Sequence, residues 1–132
     1  TEALQKKVWL KSGGYLVIDA TEAMTVIDVN SGKYTGKKNL RDTIRKINLE
    51  AAQEIAHQMR LRNLSGIIIV DFIDMDSGED QEELMASLTD WCRKDPIKTT
   101  VVDMTKLGLV EITRKKTRKP FREQVEKGEQ KT

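Results

Sequence analysis

Ile67-Ile68-Ile69-Val70-Asp71-Phe72-Ile73-Asp74-Met75, read against Thr25-Val26-Ile27-Asp28-Val29-Asn30-Ser31, decides the fold. Both are runs of β-branched, apolar residues that end in acidic or amide side chains. Runs of this kind, bounded by turn residues, form buried strands. The first is apolar at consecutive positions, which predicts a central strand covered on both faces. An ionised carboxylate closing a buried strand is expensive unless it is paired or bound to a cation. Asp28 and Asp71, on strands that can be neighbours, therefore suggest a site for a hard divalent cation. The alternative is that both are polar strand ends facing turns.

Outward from these strands, residues 15–19 read as a short strand after the turn signal Ser12-Gly13-Gly14. With residues 24–30 they form an antiparallel hairpin. Residues 31–38 are a polar, glycine-bearing loop. Residues 39–62 form the clearest helix, with Leu40, Ile44, Ile47, Ala51, Ile55 and Met59 lining one face at steps of three and four. Asn39 is its expected N-cap and Asp42 complements the dipole. A second helix is expected over residues 79–93, with Leu84, Leu88 and Trp91 inward. Strands over residues 99–104 and 109–113 complete the order. A helix joining two strands calls for parallel pairing across it. The expected fold is α/β, a mixed sheet of about five strands with two helices packed on it. Residues 1–113 form that unit, and residues 114–132 a basic extension, partly disordered or helical.

The 132 residues are 38% hydrophobic and 33% charged, which suits one soluble domain. No apolar stretch has membrane-spanning length. The single cysteine, Cys92, permits no intrachain disulfide and no cysteine zinc site, and points to a cytoplasmic setting. Net charge is +2, but residues 106–132 hold nine Lys/Arg against four Glu, a basic end suited to a polyanion. A solvated tail has the same composition.

In a strand, residues two apart share a face, so Asn30 projects with Asp28 and can hold its carboxylate in place. If the two strands are parallel neighbours, Asp28 and Asp71 lie about 5 Å apart at the backbone. Mg²⁺ takes one or two carboxylates and fills its other positions with water or phosphate oxygens, so the pair suits Mg²⁺ acting on a phosphodiester. Asp74-x-Asp76-x-Gly78 fails the EF-hand spacing, and helix capping fits it better. Gly32-Lys33-Tyr34-Thr35-Gly36-Lys37-Lys38 is one residue short of a P-loop and lacks the Ser/Thr after lysine. Lys33, Lys37 and Lys38 with Tyr34 are instead candidates for phosphate contact and base stacking. Lys106, Arg114, Lys115 and Lys116 are further candidates for phosphate contact. His57, the sole histidine, reads as a surface residue with no nucleophile to serve. Cys92 and Trp9 read as packing.

Four blocks together resemble the ribonuclease E/G family over residues 7–118: K-V-W-L-K-S-G-G-Y-L-V-I-D-A-T-E-A, I-D-V-N-S-G-K, N-L-E-A-A-Q-E-I-A-H-Q-M-R-L-R-N-L-S-G-I-I-I-V-D-F-I-D-M and L-G-L-V-E-I-T-R-K-K. The resemblance is to the family's catalytic, DNase I-like subdomain. It implies a Mg²⁺-dependent endoribonuclease, with Mn²⁺ as a substitute, that cuts single-stranded RNA to 5′-phosphate and 3′-hydroxyl ends. It also implies that Asp28 and Asp71 bind the metal and that Asn30 supports them. The family's S1 and 5′-sensor domains do not fit ahead of the match, and its CPxC zinc link is missing. The expectation is therefore a catalytic piece of a longer, homo-oligomeric, cytoplasmic protein. A non-catalytic RNA-binding or assembly module is the alternative. A DNA nuclease is disfavoured by the resemblance alone.

Overall fold

The computed structural model describes residues 5–32 and 40–117. Its elements run β1 (Lys7–Trp9), β2 (Tyr15–Ala20), β3 (Met24–Asn30), α1 (Leu40–Leu61), β4 (Gly66–Asp71), α2 (Gly78–Arg93), β5 (Thr99–Met104) and β6 (Leu109–Arg114). They build one six-stranded sheet in the order β1-β2-β3-β4-β6-β5. The sheet is mixed, as expected, with one strand more. β1 is too short, at three residues, to leave an alternating signature. It adds to β2 through Lys7↔Val17 and Trp9↔Tyr15.

β1, β2 and β3 are antiparallel, and the chain then crosses through α1 to place β4 parallel to β3. Across α2 the expected neighbouring pair does not form. β6 inserts between β4 and β5, antiparallel to both. A bulge at Val102 offsets the β5–β6 register, and Val102 is left exposed.

The core lies on one face only. Leu16, Ile18, Ile27, Val29, Ile68, Val70, Val110 and Ile112 point to the helices and pack on Ile47, Ala51, Ile55, Met59, Leu84 and Leu88. The other face carries Val26 and Ile67, both over 40% exposed. This corrects the expectation that β4 is covered on both faces. Its inward positions, Ile68 and Val70, alternate with exposed Ile67 and half-buried Ile69, as in a sheet with one solvated side. Leu40, expected on the inner stripe of α1, is also exposed.

α1 stops where Asn63 takes a left-handed conformation, φ 51°. The Leu64 amide donates to the Met59 carbonyl and the Asn63 amide to the Arg60 carbonyl, a Schellman ending that buries Leu64 beside Met59. α2 begins at Ser77, whose hydroxyl accepts from the Asp80 amide. Residue 39, the expected cap of α1, lies outside the described residues.

Candidate metal centre

Parallel pairing sets Asp28 directly beside Asp71 at the carboxyl ends of β3 and β4. Neighbouring strands are about 4.8 Å apart, so the two backbones are within the reach of one cation. Both side chains lie on the open face, because Ile27↔Val70 takes the buried side of the register and Asp28↔Asp71 the other. Asn30 shares that face and donates from Nδ2 to Asp28 Oδ2 at 3.3 Å. The sheet thus assembles the three residues singled out from the sequence. Its carboxyl edge is where open α/β sheets gather their sites.

The electrostatics favour a cation. Desolvation against the sheet pushes the Asp71 carboxyl above its ordinary value, and the negative charges of Asp28 and Asp74 push it the same way. Like charges converge here with no basic side chain among the causes of that shift. Among the described residues no group of three His, Cys, Asp or Glu has the geometry of a complete metal cage. Two carboxylates on an open face are what Mg²⁺ needs when substrate and water supply the remaining oxygens. The donor set therefore fits Mg²⁺ or Mn²⁺ and does not fit a closed structural site.

A group whose folded pKa is raised contributes stability below its unfolded pKa and loses it as pH rises through the folded value. Ionised Asp71 accordingly weakens the metal-free fold at neutral pH. Asp71→Asn is expected to raise the Tm in EDTA, and added Mn²⁺ to stabilise the parent chain but not the variant. Thermal scans at pH 7 check both; an unchanged or lower Tm in EDTA refutes the repulsion.

The segment after β4 is held by a residue that sequence reading passed over. Asn48, fully buried on α1, donates from Nδ2 to the Ile73 carbonyl at 2.8 Å and accepts from the Ile73 amide at 3.1 Å. This two-way clamp fixes the main chain between Asp71 and Asp74. The signal was present, since Asn48 interrupts an apolar stripe in which a polar side chain needs partners. Asn48→Leu leaves the Ile73 amide and carbonyl unpaired, costing about 1–3 kcal/mol. It is also expected to weaken Mn²⁺ binding by roughly tenfold, as lost outer-layer support does. Urea denaturation and a Mn²⁺ titration measure the two effects separately.

The basic candidates disperse. Lys106 is exposed on the β5–β6 turn, and lines a cleft with Asp74, Asp76 and Leu107 at the same rim as Asp71. Lys115 and Lys116 are exposed, but they follow β6 at the opposite end of the sheet, where Arg114 pairs with Gly66. Arg114 is not an RNA-facing residue. Its side chain is 2% exposed and bonded to Asp95 Oδ2 at 2.9 Å, a correction explained by its inward position on β6. Lys33, Lys37 and Lys38 lie outside the described residues.

Other expectations divide similarly. His57 is on the surface of α1. Cys92 is buried, and burial first, then the Asp95 charge, pushes its thiol up to about 11, so it is unreactive at neutral pH. Trp9 is not packing, since it is 62% exposed on the open face.

The sequence matches the Ribonuclease E/G family over residues 1–117. Ribonuclease G of Haemophilus influenzae is 56% identical over 116 residues, 88% of this chain and 24% of that protein. Ribonuclease G of Escherichia coli strain K12 gives the same identity and the same coverage. Ribonuclease E of Synechocystis is 51% identical over 115 residues, 87% of this chain and 17% of that protein. The chain thus spans about a quarter or less of the length of these relatives. With matching blocks along nearly its whole length, the chain belongs to the ribonuclease E/G family.

Proposed function

We propose that this chain is the catalytic, DNase I-like part of a Mg²⁺-dependent endoribonuclease that cuts single-stranded RNA to 5′-phosphate and 3′-hydroxyl ends. The observation that carries the reading is the parallel register Asp28↔Asp71 on an open sheet face. Asp28 and Asp71 would hold the ion. A bound Mg²⁺ supplies Lewis-acid polarisation of the phosphodiester and a more acidic water. Asn30, by donating to Asp28 Oδ2, would steady the Asp28 side chain. Lys106, at the same rim, offsets phosphate charge. The open face leaves room for a flexible strand to cross the carboxylates.

In the longer cytoplasmic protein, S1 and 5′-sensor domains and homo-oligomerisation would add affinity and end recognition. The test is cleavage of a labelled single-stranded oligoribonucleotide by the chain, with Mg²⁺ and with EDTA, and analysis of the product ends. Mg²⁺-dependent cutting to 3′-hydroxyl ends supports the proposal. Cyclic phosphate ends exclude it. RNA binding with no cutting at any protein concentration favours an RNA-binding or assembly module, for which the exposed basic pair Lys115 and Lys116 is the supporting observation.

A further inference from the structure

On the open face, the strand register continues outward from the carboxylates to a pair of aromatic rings. Asn30 is paired with Tyr15, and Tyr15 with Trp9. In the next row, Asp28 is paired with Val17, and Val17 with Lys7. The Trp9 and Tyr15 rings lie 5.2 Å apart at 57°, so neither stacks flat on the other. Lys7 Nζ sits 4.3 Å from the Trp9 ring centre and 4.2 Å from that of Tyr15. Together with Gly13, Asn30, Ser31 and Gly32 they line a cleft of about 500 Å³.

The cleft is built rather than incidental. A Cβ at Gly32, φ 66°, would meet the Gly13 carbonyl oxygen at 2.5 Å, and one at Gly14 would meet the Asn30 carbonyl oxygen at 2.7 Å. Only glycine lets the two turns close beside Asn30. Glu50 of α1 accepts from the Ser12 hydroxyl and amide, which pins the β1–β2 turn to the helix. The indole, 62% exposed on this supported edge, has a surface open to a ligand.

We propose that Trp9, with Tyr15 and Lys7, is a stacking subsite for an unpaired nucleobase of the RNA whose backbone crosses Asp28 and Asp71. The inference rests on the reading of the chain as acting on single-stranded RNA. Three observations favour a nucleotide over a protein. The rings are cationic-capped, the cleft lining includes the polar Asn30 and Ser31, and within the subsite Tyr15 is one strand and Trp9 two strands away from Asp28. Aromatic faces accept any base, and an adjacent ammonium attracts the phosphate. Tyr15, diagonal to Asp28 across the β2–β3 pair, lies about 7–8 Å from it at the backbone. The subsite therefore reads a nucleotide next to the scissile bond and selects single strands, since a base stacked in a duplex has its faces covered by its neighbours.

The chain holds two tryptophans, so Trp91→Phe leaves Trp9 as the sole tryptophan, whose emission is excited selectively over that of the two tyrosines. Oligouridylate is titrated into this variant in EDTA, which prevents cutting. Saturable quenching of Trp9 emission is expected. In the otherwise unchanged chain, Trp9→Leu is expected to weaken binding of a labelled oligouridylate about tenfold by anisotropy, and Trp9→Phe much less. Trp9 is on the surface, so the substitutions leave the fold intact, and circular dichroism verifies this. Unchanged affinity in Trp9→Leu, absence of quenching, or no binding of single-stranded RNA overturns the proposal. So does concentration-dependent self-association that Trp9→Leu abolishes while RNA binding stays as before, because the edge is then a protein interface. Asp28→Asn and Asp71→Asn separate the two readings: retained cutting in both refutes the metal centre and leaves the Trp9 result standing, whereas cutting lost in both with affinity unchanged in Trp9→Leu refutes the subsite alone.

Discussion

Replacing Asp71 by asparagine is expected to lower Mg²⁺-dependent cleavage of single-stranded RNA by about a thousandfold while leaving the chain folded. The substitution keeps the shape of the side chain at an exposed strand end and removes one of two charges facing the same space. Lewis-acid stabilisation by a bound ion is worth several kcal/mol, and roughly 4 kcal/mol corresponds to three orders of magnitude. Asp28→Asn is expected to be equally damaging, although it can keep its hydrogen bond with Asn30 by turning its amide oxygen toward Nδ2. On the proposed mechanism the two carboxylates act as one unit, so the double variant should be little worse than either single one. Asn30→Ala should fall between, with a loss of about 10- to 100-fold, since in the proposed site Asn30 would only orient Asp28. The raised pKa of Asp71 adds a signature. Its protonated form cannot hold the ion, so the acid limb of the pH–rate profile should move to lower pH as Mg²⁺ is increased. Single-turnover cleavage over a Mg²⁺ series measures all of this. Cleavage within tenfold of the parent in both Asp28→Asn and Asp71→Asn would remove the metal mechanism.

The carboxylate pair was legible because two separate signals agreed. The β-branched runs fixed two strands, and the helix between them implied parallel neighbours, which brings their carboxyl ends to one edge. What stayed illegible depended on long-range pairing. Lys7 to Trp9 is too short to carry an alternating signature, and only its register with β2 turns Trp9 into an edge residue in line with Tyr15 and Asn30. The place of β6 between β4 and β5 has no local signature, since both β5 and β6 read simply as short strands. The consecutive apolar residues of β4 suggested two covered faces. Periodicity cannot say that Ile67 and Ile69 lie on a face with no described layer over it. Arg114 was misread for a related reason. Counted with Lys115 and Lys116 it belongs to a basic run, but the strand's two-residue alternation continues through it and turns it inward with Ile112 and Val110.

That inward turn makes Arg114 a stability determinant. Its Nε and Nη2 donate to Asp95 at 2.9 and 3.3 Å, and its Nη1 donates to Asn63 Oδ1 and the Leu64 carbonyl, each at 2.9 Å. The guanidinium thereby joins the end of β6 to the α1 terminus and the α2–β5 loop. Asp95 is equally enclosed, at 1% exposure, and also accepts from the Ile97 amide and the Thr99 hydroxyl. Burial on its own pushes the Asp95 carboxyl up, but Arg114, Ile97 and Thr99 outweigh it and hold it below the usual carboxylate range. Arg114→Met strands a buried negative charge and should cost about 3–5 kcal/mol in urea denaturation at pH 7. Arg114→Lys should rescue little, because an ammonium cannot match the guanidinium fork on four acceptors. The pH dependence has opposite signs in the two proteins. In the parent, the depressed pKa gives stability above the unfolded value near 4 that is lost as pH falls through the folded one. In Arg114→Met, burial without its counter-charge raises the Asp95 pKa, so stability is lost as pH rises. The gap between the two should narrow from pH 7 toward pH 4. Asp95→Asn in the Arg114→Met background should recover part of the loss at neutral pH, since the stranded charge is gone. An Arg114→Met chain of parental stability that binds RNA less tightly would return the residue to the nucleic-acid surface and refute its structural role.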